Sequence, residues 1–201
     1  PASVIENRCK KVLAYKYALG LADGYKPVSD ASLKKQLDSP EADAVNRRLT
    51  AAMITCLENK EALLPIGDTY DKHIAVVNIG EGADNTFSHY CSKYADIKRY
   101  SASTALTATQ LKAIKSCDMV IAGIYNDKAA SIEALRQLEG CRNLVTVFFL
   151  NPYKLSKFAP LKSGAVLLTG ENTALAQEYA AQGVFGGIRV NGSLPVNVKG
   201  I

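Results

Sequence analysis

The chain has 201 residues, 48% of them hydrophobic and 21% charged, which at roughly 150 residues per domain means one domain with a sizeable appendage and a real core. Fourteen Gly and seven Pro exclude collagen-like and low-complexity readings, and no run approaches the roughly 20 apolar residues that a membrane-spanning helix needs. The net charge of +5 is spread over pairs such as Lys10-Lys11, Lys34-Lys35 and Arg47-Arg48, which read as solvated helix faces and exclude a nucleic-acid footprint.

Pro1 to Arg8 lack the charged-then-apolar order of a signal peptide, so a soluble, untargeted chain is expected. Val4 to Leu21 has helical spacing and ends at Gly20. Tyr25 to Asp30 and Asp38 to Glu41 break any regular pattern and read as a connector, with Pro40 suited to open a second helix over Ala42 to Leu57. Five short apolar runs follow, at 73–80, 97–101, 119–125, 144–150 and 164–170. Most are apolar throughout rather than alternating, as strands covered on both faces should be. Between them lie helical stretches at 85–94, 108–116, 128–139, 155–161 and 173–184. Thr107 or Thr109 can cap one of these helices and Asn172 or Thr173 another. An extended piece is expected at 194–199.

Strand–helix alternation gives an α/β fold, a doubly wound and mainly parallel sheet of five to six strands with helices on both faces, preceded by a helical linker segment. Residues 73–80, the most uniformly apolar run, are expected at its centre. The sequence divides into 1–24, a linker and entry helix at 25–71, and the α/β domain at 72–201.

Catalytic motifs are scarce. There is no G-x-S-x-G, P-loop or H-E-x-x-H pattern, and His73 and His89 read as ordinary strand-edge and helix positions. Cys9, Cys56, Cys91, Cys117 and Cys141 lack metal-ligand spacing and read as small buried hydrophobes. No metal and no cofactor is expected. Gly80-Glu81-Gly82-Ala83 sits at a strand–helix turn where a Rossmann fingerprint would cradle a pyrophosphate, but Asn85 holds the third glycine's place. Glu81 is the turn's only carboxylate and its sole candidate for acid or base chemistry. Two further strand exits, Asn151-Pro152-Tyr153 and Gly170-Glu171-Asn172-Thr173, lie where open α/β sheets bind ligands. Asn151, Tyr153, Glu171 and Asn172 are therefore candidate binding residues. The competing reading is a rigid strand exit, with Pro152 fixing one turn and Asn172 capping a helix.

These residues resemble the C-terminal α/β sandwich domain of glycoside hydrolase family 3, in its β-N-acetylhexosaminidase-like branch. Lys16 to Leu21 resembles the family's K-x-x-L-G-L ending of the last barrel helix. Thr55 to Asn59 followed by Leu63-Leu64-Pro65-Ile66 is similar to its T-L-L-K-N … L-L-P-L entry to the second domain, with Cys56 and Glu58 replacing Leu and Lys. Asn151 to Leu155 resembles its N-P-Y-x-L. The ending resembles Y-E-N-T … A-A … L-F-G … G-x-L-P-V, with Gly170 in place of Tyr.

In that family a TIM barrel carries the nucleophilic Asp and, in the hexosaminidase branch, a His-Asp pair for proton transfer. The resemblance thus implies a non-catalytic domain whose partner is a barrel of the same polypeptide, residues 1–24 being a remnant of its last helix, and which meets glycan only through that enzyme. It also implies an extracytoplasmic parent more than a cytoplasmic one. In the family's β-glucosidases a long loop after the first strand supplies an acid/base Glu; Gly80 to Asp84 is too short for it. The excess of apolar positions in Val4 to Leu21 would pack on the barrel and be bare without it. The alternative is a free-standing nucleotide or small-ligand binding module.

Overall fold

The computed structural model describes residues 1–24 and 30–201. The irregular segment expected from Tyr25 lies outside the described residues as far as Ser29. The chain divides into two compact units, Pro1–Asp43 and Ala44–Ile201.

In the first unit, α1 (Ala2–Ala18) has no buried residue. Val4, Ile5, Val12, Leu13, Tyr15 and Tyr17 are all exposed. Because apolar side chains are distributed around this helix among Arg8, Lys10, Lys11 and Lys16, no single face carries them. The α-helix stops at Ala18, short of the expected Leu21, because Gly20 takes a left-handed conformation (φ 72°) and a 3-10 turn follows at Leu21–Asp23. The expected connector contains a short helix, α2 (Leu33–Leu37). The unit boundary falls within α3 (Pro40–Met53), which Pro40 opens as its fixed φ favours.

The second unit is built on a six-stranded sheet. Its strands are β1 (Thr55–Asn59), β2 (Ile74–Ile79), β3 (Ile97–Ala102), β4 (Met119–Ile124), β5 (Leu144–Phe148) and β6 (Ala165–Leu168), in the order β1-β6-β5-β4-β2-β3. All neighbours are parallel except β1, which runs antiparallel to β6. The crossovers contain α4 (Thr86–Cys91), α5 (Ala108–Lys115), α6 (Ala129–Leu138) and a 3-10 helix at Pro152–Lys157, and α7 (Ala174–Phe185) follows β6.

Side chains alternate along β2 between two cores. Ala75, Val77 and Ile79 join Ile114 of α5, Leu135 and Leu138 of α6, and Leu155 and Phe158 of the 3-10 segment. Ile74 and Val76 join Phe87 and Cys91 of α4 and Ala180, Ala181 and Val184 of α7. The sheet is therefore covered on both faces, which is why β2, β4, β5 and β6 contain only buried residues. Burying a Val, Leu, Ile or Phe side chain contributes about 1.5 to 3 kcal/mol, so these two layers dominate the stability of the unit.

Several details depart from the sequence reading. The helix expected over Ala42 to Leu57 stops at Met53, and Thr55–Asn59 is instead an edge strand. Residues 194–199 form no strand; the nearby extended contact is one bridge between Thr55 and Gly192. β2 is an inner strand, but it lies one place from the edge, and β5 and β4 are the middle pair. Of the five cysteines, Cys91 and Cys117 are buried, whereas Cys9 and Cys56 are exposed.

Candidate functional site

The carboxyl ends of β2, β4 and β6 converge on one polar network. β2 delivers Asn78, fully buried among apolar neighbours. Its Nδ2 donates to the carbonyls of Gly82 (2.9 Å) and Ala83 (3.1 Å) and to Oδ1 of Asn85 (3.0 Å). The Tyr125 hydroxyl, just beyond β4, donates to Oδ1 of Asn78 (3.2 Å) and accepts from Nδ2 of Asn85 (2.8 Å). Burial holds the Tyr125 phenol well above its ordinary value; the Asn85 donor opposes this and the charge of Glu81 adds to it. Tyr125 is thus a neutral hydroxyl at physiological pH. Its ring stacks on Phe149 with centroids 4.7 Å apart, and Phe149 meets Phe87 edge-on.

Glu81 sits at the outer side of this network, half-buried. Its Oε2 accepts from Nδ2 of Asn85 (2.9 Å) and Nε2 of Gln177 (3.3 Å), and its Oε1 from Nδ2 of Asn172 (2.7 Å). Gln177 on α7 also donates to Oδ1 of Asn172 (2.8 Å) and accepts from the Phe87 amide (2.9 Å). One carboxylate and its amide partners therefore join the first strand–helix turn to the turn after β6 and to α7. Among the described residues no buried side-chain nitrogen or oxygen lacks a hydrogen-bond partner, as a buried polar network requires for stability.

The turn itself is closed by the protein's own groups. Gly80 adopts φ 97°, and a Cβ there would fall 2.1 Å from Nδ2 of Asn126, so only glycine fits. Asn85 caps α4 through the Ser88 amide, and the Ser88 hydroxyl accepts from the Asn85 amide, a reciprocal capping box. With the Phe87 amide held by Gln177, three amides at this helix start, those of Asn85, Phe87 and Ser88, already have side-chain partners. A pyrophosphate cradle needs such amides free.

Of the residues singled out from sequence, Glu81 and Asn172 meet directly. Asn172 does not cap α7; Thr173 does, accepting from the Ala176 amide. Glu171 is exposed and accepts from the Thr173 hydroxyl. Asn151 and Tyr153 stand outside the network: Asn151 caps the 3-10 helix through the Tyr153 amide, and the Tyr153 side chain is exposed. Nearby, Asp127 accepts from Lys154 and Lys157, whose ammonium groups hold its carboxyl far below the usual carboxylate range. That clamp joins the β4 exit to the Asn151-Pro152-Tyr153 segment. Sequence reasoning missed Asn78, Tyr125 and Gln177. Asn78 had one visible signal, a lone amide within the run Ile74-Ala75-Val76-Val77-Asn78-Ile79.

The histidines lie apart from this network. His73 donates its backbone amide to Oδ2 of Asp118, with Nδ1 3.3 Å from the same oxygen, and His89 lies exposed on α4. No group of three or more His, Cys, Asp or Glu is placed to hold a metal among the described residues. No described helix is long and apolar enough to cross a membrane.

No family model matches the chain, and no curated protein sequence is significantly similar to it. Solved structures are similar to it in fold. A fungal multi-domain family 3 β-N-acetylglucosaminidase is similar at TM-score 0.68 and 23% identity, over 85% of this chain and 20% of that one. A family 3 β-N-acetylglucosaminidase from Paenibacillus gives 0.60 and 18%, over 95% of this chain and 39% of that one. A Listeria innocua β-glucosidase gives 0.63 and 18%, over 88% and 30%. The chain thus spans between a fifth and two fifths of the length of these enzymes. Its mainly parallel, two-faced sheet is a fold that family 3 glycoside hydrolases carry as one part of a larger chain.

Proposed function

We propose that this chain is a non-catalytic structural domain of a family 3 glycoside hydrolase of the β-N-acetylhexosaminidase-like branch. In this reading a barrel in the same polypeptide performs hydrolysis of O-glycosyl bonds, residues 1–24 belong to its last helix, and residues 72–201 pack on it as a scaffold. Substrate reaches the domain only through that enzyme.

The observation that carries the reading is the state of Glu81. Glycoside hydrolysis in retaining enzymes uses two groups about 5 Å apart flanking one bond. The Gly80–Asp84 connection carries two carboxylates: Asp84 pairs with Arg99, and the two oxygens of Glu81 are occupied by the amides of Asn85, Asn172 and Gln177. A carboxylate so placed fastens turns together. α1 buries none of its residues, and in this reading its packing partner belongs to the barrel. The two β-N-acetylglucosaminidases among the similar folds favour the hexosaminidase branch, as does the short Gly80–Asp84 connection.

The test is hydrolysis of an aryl N-acetylglucosaminide and an aryl glucoside by the purified 201-residue chain. No turnover above buffer is expected. Turnover that survives repurification and disappears in Glu81→Gln would overturn the proposal.

A further inference from the structure

At the amino ends of β4, β5 and β6, opposite the Glu81 network, the second unit has an open cleft of about 550 Å³. Its rim carries Lys60, Lys72 and Lys162 from three separate segments, against the carboxylates of Glu61 and Asp68. Two of these ammonium groups are held in place by backbone. Nζ of Lys60 donates to the Ser163 carbonyl (3.2 Å), and Nζ of Lys72 donates to the Gly67 carbonyl (2.7 Å). Lys72 pairs with no carboxylate among the described residues. Lys60 pairs with Glu58, while Lys162 shares Glu139 with Arg136, so one carboxylate there faces two cations.

A second observation is independent of charge. The non-glycine residues with positive φ among those described are Glu61, Ala62, Asp68 and Asn143, at 50° to 53°, and all four line this cleft. Each such residue costs of order 1 kcal/mol or more, and such residues cluster where backbone must be presented to a ligand. Hydrogen bonds fix the frame: the Lys60 amide donates to the Gly164 carbonyl, the Gly164 amide to the Leu144 carbonyl, and Nδ2 of Asn143 to the Asp118 carbonyl.

We propose that this cleft binds the phosphate group of a small molecule. Lysine suits that role because its ammonium is a compact point charge with three rotatable donors, and phosphate offers several acceptor oxygens. The site is separate from the Glu81 network, so its failure would leave the scaffold reading untouched.

The test is a titration of the isotope-labelled chain with inorganic phosphate, read by amide NMR shifts, with sodium chloride at matched ionic strength as the control. Saturable shifts confined to Gly67, Asp68, Asn143 and Gly164 are expected, with roughly millimolar affinity, as five non-hydrogen atoms permit. Lys72→Ala combined with Lys162→Ala should weaken binding by about tenfold or more, while Lys72→Arg retains it within a few-fold. Lys72→Gln, which keeps the stem length, covers the case in which the double variant loses its native spectrum. Shifts that match those in chloride, that spread over surface lysines generally, or that persist unchanged in Lys72→Gln would overturn the proposal.

Discussion

Replacing Asn78 with alanine should destabilise the second unit more than any exposed change at the same turn. The variant removes the donors to Gly82, Ala83 and Asn85 and the acceptor for Tyr125. The Gly82 and Ala83 carbonyls lie in a partly exposed turn, where water replaces the lost donor, leaving a net cost of about 0.5 to 1.5 kcal/mol per bond. The Tyr125 hydroxyl is buried, and an orphaned donor there costs about 1 to 3 kcal/mol. With some relaxation the total is about 2 to 4 kcal/mol, a large share of the 5 to 15 kcal/mol typical of a domain. In a thermal melt followed by circular dichroism this is a fall of roughly 5 to 15 °C. Asn172→Ala, at an exposed position, should cost less than about 1 kcal/mol. Because Asn78 and Tyr125 share a bond, Asn78→Ala with Tyr125→Phe should cost less than the sum of the two single changes. If Asn78→Ala melts within about 0.5 kcal/mol of the parent, or the pair is additive, the network does not stabilise the unit.

Other perturbations test particular joints. Gly80→Ala forces a Cβ to within 2.1 Å of Asn126 at φ 97° and should lower stability by about 1 to 3 kcal/mol in urea unfolding. Ala62→Gly should do the reverse, raising the urea midpoint by relieving φ 53° and contributing about 0.5 to 1 kcal/mol. Asp127→Asn should destabilise at neutral pH. Because the folded-state value of Asp127 is depressed by Lys157 and Lys154, its contribution is present above the ordinary carboxylate range and lost as pH falls through the depressed value. The difference between parent and variant in melts across pH should therefore shrink toward strong acid and never reverse above it.

The sheet was legible in the sequence wherever strands are buried on both faces. The runs that became β2, β4, β5 and β6 contain few polar residues because α4 and α7 cover one side and α5, α6 and the 3-10 segment the other. β1 was not legible. Thr55-Cys56-Leu57-Glu58-Asn59 continues the helical spacing of α3, and its strand state is decided by antiparallel pairing with β6, more than a hundred residues later. The expected centre was displaced for a related reason: the uniform apolarity of β2 reports cover on both faces, not rank in the strand order. At the site, Glu81 and Asn172 were visible because both lie in strand–helix turns. The rest of the network was not, since Gln177 sits on a helix 96 positions from Glu81 and Tyr125 lies 47 positions from Asn78. Short-range pattern carries no record of such pairings. The cap of α5 at Thr107 was readable because it is local.

If Glu81 holds structure and performs no chemistry, as proposed, the decisive quantity is kcat of Glu81→Gln in the polypeptide that joins this domain to the proposed barrel. The carboxamide keeps the size of the side chain but removes its charge and any proton transfer. The expected kcat on an aryl N-acetylglucosaminide lies within a few-fold of the parent, together with a lower melting temperature from the weakened bonds to Asn85, Asn172 and Gln177. A loss of about 10²- to 10⁴-fold in kcat with the melting temperature unchanged, as expected on removing a general acid or base, would contradict it.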